Sequence, residues 1–194
     1  DRDSLRSVAG DLSEQCDRLN QMVENLLALA RHDIAHDIGN EPVLVYHITE
    51  KLIQRFRQAH PGRAFEVIDA GVPQPVAADT AYLELIITNL VSNALKYSPA
   101  GSPLTVAINR ANDEVFVAVR DTGPGVPESE IGAIFDRFYR SKSTSSLAGG
   151  AGMGLAVVKR LVEAMGGRVW ARNLEPRGFE VGFSLPRYHG FDSE

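Results

Sequence analysis

The sequence predicts an α/β fold: a two-layer sandwich with a mixed sheet faced by helices on one side, preceded by one long helix. Three observations predict it. Leu104, Val106 and Ile108 fall on alternate positions, as do Val115, Val117 and Val119, so two strands meet around Asn112-Asp113. The stretch from Asp79 to Tyr97 has a helical apolar period, with Asp79 as its N-cap and Ser98-Pro99 as its stop. Leu5, Val8, Leu12, Gln15, Leu19, Met22, Leu26 and Leu29 recur in steps of three and four, the seam of a helix packed along another helix.

The remaining elements follow in order. Residues 1 to about 34 form the seam helix, and Gly39, Asn40 and Pro42 punctuate a boundary that divides the chain into 1–35 and 36–194. Val43–Val45 reads as a short strand, Tyr46–Ala59 as a helix stopped by His60-Pro61-Gly62, and Ala64–Asp69 as a strand. A Pro-containing loop then leads to Val76. Beyond the hairpin, a short helix is expected near Glu128–Ile134, followed by a Ser-rich loop from Ser141 to Leu147. A helix over Met153–Met165 is ended by Gly166-Gly167. Two closing strands cover Val169–Arg172 and Gly178–Leu185.

Composition bounds what such a domain can do. Of 194 residues, 44% are hydrophobic and 23% charged, an ordinary globular balance. The net charge of −5 repels nucleic acid and anionic lipid as a whole, leaving only a local basic patch to hold phosphate. The lone Cys16 excludes an intrachain disulfide framework and suggests a reducing compartment. No apolar run reaches the ~18 residues of a membrane span. The chain begins at Asp1 without Met, and reads as a piece of something longer.

Three segments carry chemistry. On the Asp79–Tyr97 helix, at about 3.6 residues per turn, Asn89, Asn93, Lys96 and Tyr97 share a stripe opposite Leu83, Ile87, Leu90, Val91 and Ala94. Carboxamide oxygens suit Mg²⁺, which takes few protein ligands beside phosphate oxygens, and Lys96 suits phosphate; taken alone, the stripe reads as the wet face of a helix. Asp121-Thr122-Gly123-Pro124-Gly125 follows a strand directly, so its carboxylate can accept from an exocyclic amine such as that of adenine while the glycines admit a ring. Gly149-Gly150-Ala151-Gly152-Met153-Gly154-Leu155 precedes a helix whose N-terminal N–H groups favour phosphate. It has no Gly-Lys-Ser/Thr ending, and no suitable strand precedes it. Between the last two lies Phe135-Asp136-Arg137-Phe138-Tyr139-Arg140.

In order and spacing, these segments resemble the sensor histidine kinases of the gyrase, chaperone and mismatch-repair ATPase superfamily. LELIITNLVSNALKYSP is similar to the family's N box, DTGPGVP to its first glycine box, FDRFYR to its F box, and GGAGMGLAVVKRLVEAMGG to its second glycine box. LNQMVENLLALARHD resembles the end of the second helix of the dimerisation hairpin. The resemblance implies a Bergerat-type ATP-binding fold with ATP and Mg²⁺ as ligands. It places Asn93 on Mg²⁺, Asn89 near the phosphates, Lys96 on phosphate oxygens and Tyr97 at the nucleotide's side. Asp121 would accept from the adenine amine beside Gly123 and Gly125, with Tyr139 flanking the base and Arg140 approaching the γ-phosphate. Gly150, Gly152 and Gly154 would hinge a lid over 141–152 and, with Met153 and Leu155, contact the nucleotide. Arg140 and Lys96 are the implied catalytic groups.

The implied reaction is transfer of the ATP γ-phosphoryl to a histidine, then to an aspartate of a response regulator. The family's acceptor histidine sits on the first hairpin helix, here expected upstream of residue 1. His36-Asp37 imitates its surroundings, yet lies after the second-helix match and only 57 residues before Asn93. His32, His47, His60 and His189 read as surface or helix-end residues. A homodimeric parent anchored in a cell membrane, with this domain cytoplasmic, is the expected setting. The alternatives are a degenerate nucleotide-binding regulator and an anti-sigma-type serine kinase. A chaperone- or topoisomerase-type ATPase would need a glutamate where Asn89 stands.

Overall fold

A computed structural model of the chain describes residues 19–20, 22–28, 41–69, 75–141 and 152–190. Five strands form the main sheet: β2 (Phe65–Asp69), β4 (Leu104–Ala111), β5 (Glu114–Asp121), β7 (Phe179–Pro186) and β6 (Arg168–Asn173), in that spatial order. β2 and β4 run parallel, as their intervening crossover requires, and the other pairs are antiparallel. The sheet is mixed, as the sequence predicts. A second, two-stranded sheet pairs β1 (Pro42–Leu44) with β3 (Pro75–Ala77). The expected loop gives way at Pro75 to a strand that includes Val76.

Helices α1 (Val45–Ala59), α2 (Thr80–Tyr97) and α3 (Gly154–Ala164) cover one face of the main sheet. α1 buries Val45, Thr49, Leu52 and Ile53, a single stripe at helical spacing. Asp79 caps α2 as expected, its Oδ1 accepting from the N–H groups of Ala81 (2.8 Å) and Tyr82 (3.0 Å). The alternating Val115, Val117 and Val119 point into the core beneath these helices with Val106, Ile108, Phe183 and Leu185. The hairpin turns at Asn112, whose φ is 53°.

The other face of the sheet is a lattice of paired polar and aromatic groups. Glu180 is 1% exposed and receives Arg120 Nε at 2.6 Å, Arg172 Nε at 2.8 Å and Trp170 Nε1 at 3.1 Å. Burial alone would raise its pKa, but these donors outweigh burial and hold it below the ordinary glutamate value.

One expectation is corrected. Residues 128–135 form two 3₁₀ turns, Glu128–Glu130 and Ala133–Phe135, in place of one short helix. Gly132 between them costs helix stability, and the segment is too short to nucleate an α-helix. α3 ends at Gly166 (φ 73°), with Gly166 N–H donating to Glu163 O and Gly167 N–H to Val162 O.

Of the seam helix, residues 19–20 and 22–28 are described and helical. Leu5, Val8, Leu12, Gln15, Cys16 and Leu29 lie outside the described residues. Within the window the seam face is open: Leu19 and Leu26, like Val23 and Leu27, are exposed, while Asn25 and Ala28 are buried against the sandwich. His47, His60 and His189 are exposed, as expected. His32 and His36 lie outside the described residues.

Candidate functional site

Asp121 ends β5, where the register places it opposite Phe179 of β7. It is 9% exposed, and its Oδ1 accepts from the Gly123 N–H at 2.6 Å. This bond closes the Asp-Thr-Gly turn on itself and leaves Oδ2 for another donor. Burial pushes the Asp121 pKa above the ordinary carboxylate value, and the Gly123 N–H and the positive Arg63 pull it partway back. Gly123 lies against the end of α2: a Cβ there would stand 2.8 Å from Tyr97 O and 2.7 Å from Asp121 Oδ1. Only glycine allows that approach.

The α2 stripe starts at this contact and runs back along the helix. Lys96 holds its ammonium 4.8 Å from the centre of the Tyr97 ring. Asn93, one turn earlier, is half-buried, and among the described residues no hydrogen bond engages its carboxamide. Asn89 differs from the sequence expectation of a wet helix face, being 5% exposed. Its Nδ2 donates to Leu85 O (2.9 Å) and to Asn25 Oδ1 (3.0 Å), and Asn25 Nδ2 donates back to Asn89 Oδ1 at 3.1 Å. With the seam helix in this position, Asn89 is satisfied by protein, and Asn93 carries the available oxygen.

At the Asn89 end, α3 begins. A Cβ on Gly154 would stand 2.7 Å from Asn89 Oδ1, so the helix N-terminus abuts the stripe. Its N-cap, Met153, offers no side-chain cap, which leaves the first-turn N–H groups, from Gly154 and Leu155 onward, without an intrahelical acceptor. Met153 is buried and Leu155 packs at the core's edge. Just before, the Gly152 O accepts from the Phe138 N–H at 2.9 Å, and Gly152 takes φ 67° against the Tyr139 carbonyl. Phe138 itself adopts φ 62° and is 67% exposed. Tyr139 is half-buried; its phenol pKa is raised, first by desolvation and then by the adjoining Glu130 carboxylate. Arg140 is exposed, one residue before buried Ser141. Gly150 and residues 142–151 of the expected lid lie outside the described residues.

The sequence-separated blocks thus touch in a continuous line: Asp121, Gly123, Tyr97, Asn93, Asn89, Gly154, Gly152, Tyr139. Eight helical steps from Asn89 to Tyr97 span ~12 Å. An anion suits the uncapped α3 end, and an amine suits the free oxygen of Asp121 at the other. Among the described residues no cluster of three or more His, Cys, Asp or Glu exists. The donor set is neutral amide oxygen, which fits a hard cation that arrives with phosphate oxygens.

Two residues that sequence reasoning missed shape this line. Asn25 is the first. Arg63, from the loop after α1, is the second: it donates through Nη2 to Ser98 Oγ and to Ser102 Oγ (3.3 Å), and through Nη1 to Pro99 O (3.4 Å). It thereby anchors the turn that follows Tyr97, and its charge acts on Asp121. Burial lowers the Arg63 pKa while Asp121 supports it, and an arginine stays charged throughout. A pH dependence follows. A group that must be ionised to accept from an amine stops accepting as pH falls through its raised pKa. Affinity for an ATP analogue is therefore expected to fall on acidification, and Arg63→Gln, which removes a positive charge that lowers the Asp121 pKa, to move that fall to higher pH. Affinity at pH 8 should be nearly unchanged. Titration calorimetry across pH checks it, and coincident profiles for the two proteins would contradict it.

Residues 78–189 match the family of histidine kinase-, DNA gyrase B- and HSP90-like ATPases. The chain is similar to the sensor histidine kinase WalK of Bacillus subtilis, with 32% identity over 179 residues, 89% of this chain and 29% of WalK. It is 31% identical to the solved structure of the mycobacterial sensor histidine kinase MprB, with a TM-score of 0.69, covering 76% of this chain and 98% of that one. Full-length ShkA, solved in complex with AMPPNP, is 27% identical with a TM-score of 0.71, over 94% of this chain and 38% of ShkA. The chain spans 29–37% of the length of the curated relatives WalK, PmrB and MprB. By sequence and by fold, this chain belongs to the histidine kinase-, DNA gyrase B- and HSP90-like ATPases, among the sensor histidine kinases.

Proposed function

We propose that the chain is the ATP-binding catalytic part of a sensor histidine kinase and passes the ATP γ-phosphoryl to a histidine on a dimerisation hairpin, for relay to an aspartate of a response regulator. One observation carries this reading: the Asp121 turn meets the last turn of α2 and the α3 N-terminus meets Asn89 on the same helix, with a buried carboxylate at one end and an uncapped helix N-terminus at the other. Asp121 accepts from the adenine amine, Gly123 and Gly125 shape the wall behind it, and Tyr97 stands at the nucleotide's side. Gly154 and Leu155 present N–H groups to the phosphates, and Gly150 and Gly152 hinge the segment over them. Asn93 holds Mg²⁺, with Asn89 joining the phosphate end when it exchanges Asn25 for ligand. Bound Mg²⁺ supplies charge neutralisation at the phosphate oxygens. Lys96 and Arg140 add positive charge where negative charge builds on the phosphate oxygens in transfer, which is catalysis by positioning and electrostatics. The setting proposed with it is a homodimeric, membrane-anchored parent with this part in the cytoplasm; among the described residues no helix is long and apolar enough to cross a membrane.

The test supplies γ-labelled ATP and Mg²⁺, with and without a separate first-hairpin helix. Acid-labile label is expected on that helix, and none on this chain alone. Label on the chain alone that disappears in His36→Gln would overturn the acceptor's placement.

A further inference from the structure

Asn173, the last residue of β6, stands in one row with Phe179 and Asp121 across three strands, which puts it ~10 Å from Asp121 at the same end of the sheet. The glycine turn leaves β5 at Asp121 and crosses that end, so that Val126 arrives at Asn173. There the carboxamide engages both backbone groups of Val126: Oδ1 accepts from the N–H at 3.1 Å, and Nδ2 donates to the carbonyl at 2.8 Å. The second Nδ2 hydrogen goes to Glu128 Oε1 at 2.8 Å. The side chain thus pairs with Val126 as a neighbouring strand would. Gly125, at φ 68°, lies directly over it, and a Cβ there would collide with Asn173 Oδ1. Gly125 and Asn173 therefore form one device.

The turn is pinned at its entry by Asp121 through the Gly123 N–H and at its exit by Asn173. Among the described residues no other hydrogen bond holds residues 122–125. A turn held only at its two ends keeps its shape only while both ends hold. Its entry residues are those proposed to read the base, and they are five residues or fewer from the clamp.

We propose that Asn173 is a positioning residue that sets nucleobase selectivity, by fixing the exit of the Asp121–Val126 turn against which the base is read. The proposal rests on the nucleotide reading given above. A scaffold role alone would cost stability and active fraction but would leave the ratio between two bases untouched, as would any effect confined to the phosphate end. Inosine triphosphate separates these outcomes, because it carries an oxygen where adenine carries the amine and so opposes the Asp121 carboxylate.

The experiment measures dissociation constants of Mg²⁺ complexes of ATP and inosine triphosphate by titration calorimetry, with thermal melting alongside. The unsubstituted chain should prefer ATP; equal affinity would overturn the base reading and the clamp with it. In Asn173→Ala, ATP binding should weaken about tenfold, the scale of losing two or so net hydrogen bonds. Inosine triphosphate should weaken less, so that the ratio falls toward one, while the gain in affinity on adding Mg²⁺ stays as it was. Asn173→Asp keeps the acceptor for the Val126 N–H and loses both donors; it should lie between, and it carries the measurement if the alanine variant does not fold. A preference for ATP in the unsubstituted chain that persists in both variants, or equal weakening of both nucleotides, would overturn the clamp and leave the base reading standing.

Discussion

Replacing Asp121 with asparagine is expected to weaken binding of an ATP analogue by roughly 10- to 150-fold, the range for a hydrogen bond to a charged group worth about 1.5–3 kcal/mol. The substitution is isosteric, so the core and the sheet register are preserved. Its effect on stability should have the opposite sign. The folded-state pKa of Asp121 is raised, chiefly by burial. Such a group contributes stability below its unfolded pKa and loses it as pH rises through the folded pKa, so at neutral pH the ionised carboxylate works against the fold. The Asp121→Asn variant should therefore melt no lower than the parent at pH 7.5 while binding far worse. A binding residue held at a cost to stability behaves this way, whereas a structural one does not. Calorimetry and melting on the same samples check both halves, and unchanged affinity would contradict the assignment.

Asn93→Ala is expected to remove the tightening of nucleotide binding by Mg²⁺ and to reduce phosphoryl transfer by about 100-fold or more, the scale of losing one preorganised electrostatic contact in a transition state. Asn93 is half-buried, and its carboxamide makes no hydrogen bond among the described residues. Truncation therefore strands no partner, and alanine is the better helix former by a few tenths of a kcal/mol. The variant should fold at least as stably as the parent. In EDTA the two proteins should bind the analogue alike, and in Mg²⁺ they should separate. Retained Mg²⁺ dependence in the variant would assign the metal elsewhere. Asn89 makes the contrast instructive: it is the same residue type one turn away, but its amide is shared with Asn25 and Leu85 O.

What was legible in the sequence is what is decided locally. Asp79 caps α2 through N–H groups two and three residues on. The hairpin at Asn112 and the stop at Gly166 rest on backbone angles that those residues favour. Contacts across long separations left no such trace. Asn25 meets Asn89 over 64 residues, and Asn173 meets Val126 over 47. Arg63 reaches Ser98 over 35 residues and then acts on Asp121. β3 carries no strand signal of its own, because its short run begins with Pro75 and its partner β1 is itself only three residues long. The helical stripe on α2 was visible, but periodicity reports only which residues share a face. It does not say what covers that face, and the seam helix covers part of this one.

The claim that Asp121, the α2 stripe and the α3 N-terminus form a single nucleotide site is open to one direct measurement. Isotope-labelled chain is titrated with Mg²⁺-AMPPNP and followed by NMR at the Gly123 amide, the Asn93 side-chain amide and the Leu155 amide. All three resonances should shift and should saturate with one dissociation constant. Shifts confined to one of them, or saturation at clearly different concentrations, would contradict a single site.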